Sequence, residues 1–112
     1  MRKAVFFDRD GVVNELIYDK EHGTSDSPMV SSQVKLVYGI SELIKRVAEM
    51  GFITIICSNQ PSVGLGKTTL ANFQAVNKRI QSLLKVQGAI IDYKYFCMHH
   101  PFAKLKKYKF DC

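Results

Sequence analysis

At 112 residues with 46% apolar side chains, the chain is long enough for one domain with a packed core. It lacks the run of roughly 18 apolar residues that a membrane-spanning helix needs, so no membrane partner is expected. The net charge of +6 gathers at Lys104, Lys106, Lys107 and Lys109 without an aromatic-rich ribbon beside it; this excludes a nucleic-acid surface and leaves a solvated basic loop or an attractor of anionic, phosphorylated substrates.

The start, Met1-Arg2-Lys3, is followed by Ala4-Val5-Phe6-Phe7 and then Asp8, which is too short an apolar stretch for a secretory signal. Three cysteines, Cys57, Cys97 and Cys112, do not make a disulfide framework outside a secretory context, and a cytoplasmic protein is expected.

Ala4-Val5-Phe6-Phe7 is continuously apolar and β-prone, as a strand buried on both faces should be. From Glu15 to Gln33 the chain is polar, with Gly23, Ser25, Asp26, Ser27 and Pro28, and reads as an irregular excursion. Ile40, Leu43, Ile44 and Val47 recur at helical spacing, and Gly51 supplies the stop. Phe52 to Cys57 forms a second buried strand, in which Cys57 reads as a small buried residue. After a loop from Asn59 to Lys67, a second helix carries Leu70, Phe73, Ile80, Leu83 and Leu84 on one face and ends at Gly88. Ala89 to Phe96 is the third strand, and a Lys-rich loop follows. Strand and helix alternate as in a parallel α/β sheet of three strands and two helices.

In such sheets ligands bind beyond the carboxyl ends of the strands. The three strands finish on Asp8 and Asp10, on Ser58 and Asn59, and on Cys97 and His99. Asp8 and Asp10 are two apart, so in extended chain they point the same way, and Gly11 lets the backbone turn at once. Two carboxylates held that close repel each other, and a hard divalent cation relieves the repulsion. An Asp-Gly turn alone would be ordinary; the buried strand in front of it favours chemistry.

Gly64-Leu65-Gly66-Lys67-Thr68, after a strand and before a helix, suggests a nucleotide-binding phosphate loop. That loop requires glycine where Pro61 stands, and proline has no N–H to offer a phosphate.

Phe7-Asp8-Arg9-Asp10-Gly11 with Asn14 resembles the first motif of the haloacid dehalogenase-like phosphatases. The likeness is to the branch that includes the heptose bisphosphate and histidinol-phosphate phosphatases. Ser58-Asn59-Gln60 is similar to the branch's second motif, although Pro61-Ser62-Val63-Gly64-Leu65-Gly66 departs from the usual continuation. Cys97-Met98-His99-His100-Pro101 resembles the start of its zinc loop.

The resemblance implies a Rossmann-like α/β fold and hydrolysis of a small phosphorylated metabolite. A sugar (heptose) bisphosphate is the expected substrate, with histidinol phosphate the alternative. It implies that Asp8 attacks phosphorus to form an aspartyl-phosphate and that Asp10 acts as acid, then base. It implies Mg²⁺ held by the Asp8 carboxylate and the Asp10 backbone carbonyl, and phosphate or substrate contacts from Arg9, Gly11, Ser58, Asn59 and Gln60. Cys97, His99 and Cys112 are implied as three ligands of a structural Zn²⁺, with His100 outside the ligand set. The branch's third motif, a phosphate-binding Lys, and its fourth, a further Asp, have no counterpart here. Residues 1–112 are therefore expected to be the N-terminal part of a single, monomeric phosphatase domain, with a zinc-loop-like segment at 97–112. The first strand would then keep an unpaired edge. The rival from another class is a catalytically incomplete zinc- or phosphate-binding module.

Overall fold

A computed structural model describes residues 3–110. In chain order its elements are β1 (Ala4–Phe7), β2 (Ile17–Asp19), β3 (Thr24–Asp26), α1 (Ile40–Glu49), β4 (Ile53–Asn59), α2 (Leu70–Val86) and β5 (Tyr93–Cys97). β1, β4 and β5 form a parallel sheet in the order β1-β4-β5. This is the expected α/β arrangement of three parallel strands and two helices.

The helices cover one face of the sheet. Phe7 and Ile56, with Val5 and Phe96 beside them, point into a core closed by Ile40 and Ile44 of α1 and by Val76, Ile80 and Leu84 of α2. Side chains alternate across a strand, so Phe6, Cys57, Tyr93 and Tyr95 face the other way. There Phe6 is 64% exposed and Cys57 is exposed, which corrects two expectations. β1 is not buried on both faces, and Cys57 is not a core residue; both sit on the face without a helix. Among the described residues β1 has β4 as its single neighbour, which leaves the unpaired edge that was expected.

The helix faces also differ in detail. Leu43 is 50% exposed although Ile40 and Ile44 are buried, because the core-facing stripe of α1 is narrow. On α2 the stripe runs through Phe73, Val76, Ile80 and Leu84. Val76 belongs to it and was not singled out, whereas Leu70 is partly exposed. Thr69 caps α2 by accepting a hydrogen bond from the Asn72 N–H at 3.1 Å, and the helix stops before Gly88 at φ 81°.

The excursion from Glu15 to Gln33 is not wholly irregular. β2 and β3 pair antiparallel, with Tyr18 opposite Ser25, and a 3₁₀ turn follows at Ser31–Gln33. Lys67 Nζ reaches Asp26 Oδ2 at 3.1 Å, and the Thr68 hydroxyl donates to the Met29 carbonyl at 2.9 Å, so the hairpin segment is tied to the start of α2.

The third strand begins later than predicted. Asp92 Oδ2 accepts bonds from the Thr54 N–H and hydroxyl at 2.9 and 3.2 Å, and Thr54 Oγ1 also donates to the Ile90 carbonyl. These side-chain bonds accompany one backbone bond, from the Asp92 N–H to the Thr54 carbonyl at 2.9 Å, just before Tyr93. Ala89 and Ile91 still enter the core.

Pro61 to Lys67 folds on itself rather than around a phosphate. Its N–H groups at Leu65, Gly66 and Lys67 donate to the carbonyls of Pro61, Val63 and Ser62, and Lys67 is paired with Asp26. Gly64 is needed for close approach: a Cβ there would lie 2.9 Å from Tyr108 Cβ and 3.2 Å from Ala103 Cβ. Its carbonyl accepts the Lys104 N–H at 2.6 Å, which fixes the Lys-rich loop on this turn. Gly64→Ala is expected to cost about 1–3 kcal/mol through overpacking, read as a lower thermal midpoint. An unchanged midpoint would mean that the loop yields freely.

Candidate active site

The strand register brings the three chemically suggestive chain ends together. Phe7 lies opposite Ile56, and Ser58 and Asn59 lie opposite Phe96 and Cys97. Asp8 therefore leaves β1 beside Ser58 and Asn59. A cavity of about 640 Å³ is lined by Asp8, Cys57, Ser58, Asn59, Tyr95, Phe96, Cys97 and His99. Four of these residues, Asp8, Ser58, Asn59 and His99, are sequence-predicted site residues that can meet a ligand through oxygen or nitrogen.

Asp8 is exposed, and its Oδ1 accepts the Arg9 N–H at 2.8 Å. The strand has ended by then, and the chain winds around one carbonyl: the N–H groups of Val12, Val13 and Asn14 all point to Arg9 O at 2.8–3.3 Å. Gly11 adopts φ 86° to allow this turn, and Val13, fully buried, anchors it. The paired strand thus ends at Phe7, and Asp10 takes part in an isolated bridge with Asn14.

Asp10 is held on several sides. Its Oδ1 accepts from Arg9 Nε and Asn14 Nδ2, each at 3.0 Å, and its Oδ2 accepts from Gln60 Nε2 at 2.7 Å. Gln60 Nε2 also donates to Ser58 Oγ at 3.1 Å, which links the second strand end to the first.

Arg9 is 1% exposed. Besides Asp10, its guanidinium donates to Gln60 Oε1 at 2.7 Å and to Asn77 Oδ1 at 2.8 Å. It lies 5.7 and 5.9 Å from the ring centres of Phe73 and Phe96. The Arg9 side chain is thus turned into the protein, and it does not line the cavity. A guanidinium buried under two aromatic rings is stable only with its donors satisfied, and here internal acceptors satisfy them. The side chain of Gln60, 2% exposed, is committed to the same network. Asn14 was quoted only as part of a motif and Asn77 was not noticed. The available signal for Asn77 was a polar residue at helical spacing between Phe73 and Ile80 on the core stripe of α2.

Oxygen donors suited to a hard cation are present at the turn. The Asp8 carboxylate is exposed at the cavity, and among the described residues the turn's backbone bonds use the Arg9 and Asn14 carbonyls rather than that of Asp10. At the end of β5, Cys97 Sγ and His99 Nδ1 are 4.0 Å apart, wider than the roughly 3.6 Å that Zn–S and Zn–N bonds at a tetrahedral angle would set. Cys112 lies outside the described residues. His99 packs edge-on against Phe110, and His100 Nδ1 accepts the Phe102 N–H.

A further cluster, Asp19, Glu21 and His22, stands exposed at the tip of the β2–β3 hairpin. The His22 side chain, 2.7 Å away, holds the Asp19 carboxyl below its ordinary value. None of the three lines the cavity.

No family model matches the chain. Relatives do. It is 34% identical over 102 residues to D-glycero-beta-D-manno-heptose-1,7-bisphosphate 7-phosphatase of Helicobacter pylori, covering 88% of this chain and 53% of that one. It is 31% identical over 111 residues to D-glycero-alpha-D-manno-heptose-1,7-bisphosphate 7-phosphatase of Burkholderia mallei, covering 97% and 53%. Its fold matches the crystal structure of a HAD-like phosphatase from Mesorhizobium loti with a TM-score of 0.83 and 23% identity, over 99% of this chain and 49% of that one. In sequence and in fold the chain is similar to these phosphatases.

The same fold is shared with D,D-heptose 1.7-bisphosphate phosphatase from B. bronchiseptica, whose structure is complexed with magnesium and phosphate. There the TM-score is 0.73 and identity 23%, over 92% of this chain and 54% of that one. The chain spans about half the length of the curated relatives it matches. The likeness agrees with the Asp8-Arg9-Asp10-Gly11 segment at the first strand end.

Proposed function

We propose that this chain forms the nucleophilic part of a Mg²⁺-dependent phosphomonoester hydrolase acting on a small phosphorylated sugar, with a heptose bisphosphate as the preferred substrate. The observation that carries the reading is the contrast between the two carboxylates. Asp8 is exposed at the cavity, while Asp10 is fixed by Arg9, Asn14 and Gln60 two residues away. A nucleophile must reach the substrate, and an acid–base group must be aimed.

In this reading Asp8 attacks phosphorus and carries the phosphoryl group as an acyl phosphate while the P–O bond to the sugar breaks. Asp10 gives its proton to the departing oxygen and then takes one from the water that hydrolyses the acyl phosphate. Ser58 donates its hydroxyl to a phosphoryl oxygen, and Gly11 and Asn59 complete the contacts. The Asp8 carboxylate and the Asp10 carbonyl would hold Mg²⁺, which supplies neutralisation of the phosphoryl charge. The chain would be the N-terminal part of a cytoplasmic phosphatase domain, monomeric when complete. Cys97, His99 and Cys112 would contribute to a structural zinc site in segment 97–112. The names of the relatives and the phosphate complex of the B. bronchiseptica enzyme support the substrate class.

The test is phosphate release by the natural full chain from a panel of sugar phosphates, sugar bisphosphates and histidinol phosphate. Heptose bisphosphate is expected to be hydrolysed fastest, with activity lost on chelation and restored by Mg²⁺. Preference for histidinol phosphate would move the substrate to the alternative. Bound zinc without hydrolysis of any ester would replace the reading with a zinc-binding module, which the Cys97–His99 pair would then explain.

A further inference from the structure

Asn77 has no place in the motifs that carry the superfamily likeness. It lies on the third turn of α2, 68 residues from Arg9 in sequence, and accepts the Arg9 Nη1 bond at 2.8 Å. The other donors of that guanidinium go to Gln60 Oε1 at 2.7 Å and to Asp10, from Nε to Oδ1 at 3.0 Å and, more weakly, from Nη2 to Oδ2 at 3.5 Å. Phe73 and Phe96, themselves edge to face with ring centres 5.4 Å apart, lie together on one side of it at 5.7 and 5.9 Å. The rings cover the guanidinium but do not set how it is turned. Rotation is fixed by acceptors on different edges, and Asn77 supplies the one on the helix side.

From this geometry we infer that Asn77 is a positioning residue for Asp10, acting through Arg9. With Asn77 in place, Arg9 Nε points at Asp10 Oδ1 while Nη2 holds the Gln60 carboxamide, whose own N–H₂ bonds Asp10 Oδ2 at 2.7 Å. One helix side chain thereby bears on the Arg9 and Gln60 contacts to the carboxylate, while the Asn14 Nδ2 bond at 3.0 Å does not run through it. Without it, Nη1 is a buried donor lacking a partner. The guanidinium then turns to recover a bond, and it draws Asp10 and Gln60 out of alignment. The catalytic part of the inference rests on the proposed phosphatase reading; the structural part, the hold on Arg9, does not.

Two measurements on the natural full chain separate these parts. The first needs no activity: solvent exchange of the Arg9 Nε–H proton, followed by NMR. Asn77→Ala is expected to accelerate that exchange at least about tenfold, because the proton loses its fixed acceptor. Asn77→Asp, which keeps an oxygen at the same reach, is expected to restore slow exchange. The second is kinetic. Asn77→Ala is expected to lower kcat on the order of 10- to 100-fold, the scale for a misplaced catalytic group, with KM within about twofold. Asn77→Asp is expected to recover most of kcat.

Unchanged exchange in Asn77→Ala overturns the inference whatever the activity. A lowered thermal midpoint with kcat per folded molecule unchanged overturns it too, since Asn77 would then serve stability alone. Failure of the wild-type chain to hydrolyse any ester instead overturns the phosphatase reading and the catalytic role together, and exchange alone then judges the hold on Arg9.

Discussion

Arg9→Ala is expected to destabilise the protein by about 3–5 kcal/mol, the range for breaking a buried ion pair by removing one partner. The substitution strips three acceptors at once. Asp10 keeps a part-buried carboxylate with a side chain only 17% exposed, and Gln60 Oε1 and Asn77 Oδ1 lose their donor. Two aromatic rings, Phe73 and Phe96, lose the cation packed beside them, a contact worth about 0.5–2 kcal/mol by itself. Arg9→Lys is expected to recover only part of the loss, because an ammonium cannot meet Asp10, Gln60 and Asn77 from one planar fork. Urea unfolding followed by circular dichroism reads both, with the midpoint falling and the slope preserved. A loss below about 1 kcal/mol for Arg9→Ala would show that the network stabilises little and that the two rings alone hold the region.

The inward course of the Arg9 side chain was not legible in the sequence, for a physical reason. Nothing within several residues shows that its side chain turns inward. That direction is decided by Gln60, 51 residues on, and Asn77, 68 residues on. The features that were legible are those encoded over short stretches. The apolar runs at Ala4–Phe7 and Ile53–Cys57, the glycine stops after the helices, and the succession of strand ends all depend on local pattern. Pairing those strands in parallel then brings Asp8, Ser58 and Cys97 to one rim without further instruction.

Cys57 failed for a different reason. An apolar run in β4 says that a strand is well covered, but not which of its two faces lacks a helix. In this fold both helices pack on the face of Phe7 and Ile56, and Cys57 faces away. The β2–β3 hairpin was hidden because its strands are three residues each and almost wholly exposed, so no hydrophobic alternation marks them. What fixes the segment is the Lys67–Asp26 pair and the Thr68–Met29 bond, which join positions 39 and 41 residues apart.

Asp8→Asn in the natural full chain is expected to reduce phosphate-ester hydrolysis by at least about 10⁴-fold, the scale for removing one member of a nucleophilic unit. The change conserves size and still offers an oxygen to the Arg9 N–H, so the turn around Arg9 O and the hold on Asp10 should persist. Stability should therefore stay within about 0.5 kcal/mol of the parent, as for other surface substitutions. Asp8 is exposed and its side chain is outside the Arg9–Gln60–Asn77 network, which is why the two substitutions should separate: Arg9→Ala acts on folding, and Asp8→Asn on chemistry. Acid quench during turnover of a ³²P-labelled ester adds a direct readout. An acid-stable but hydroxylamine-labile label on the wild-type protein, absent from Asp8→Asn, is the expected result. Turnover retained in Asp8→Asn, or a label that survives the substitution, would assign the nucleophile elsewhere and reduce Asp8 to a rim residue of the cavity.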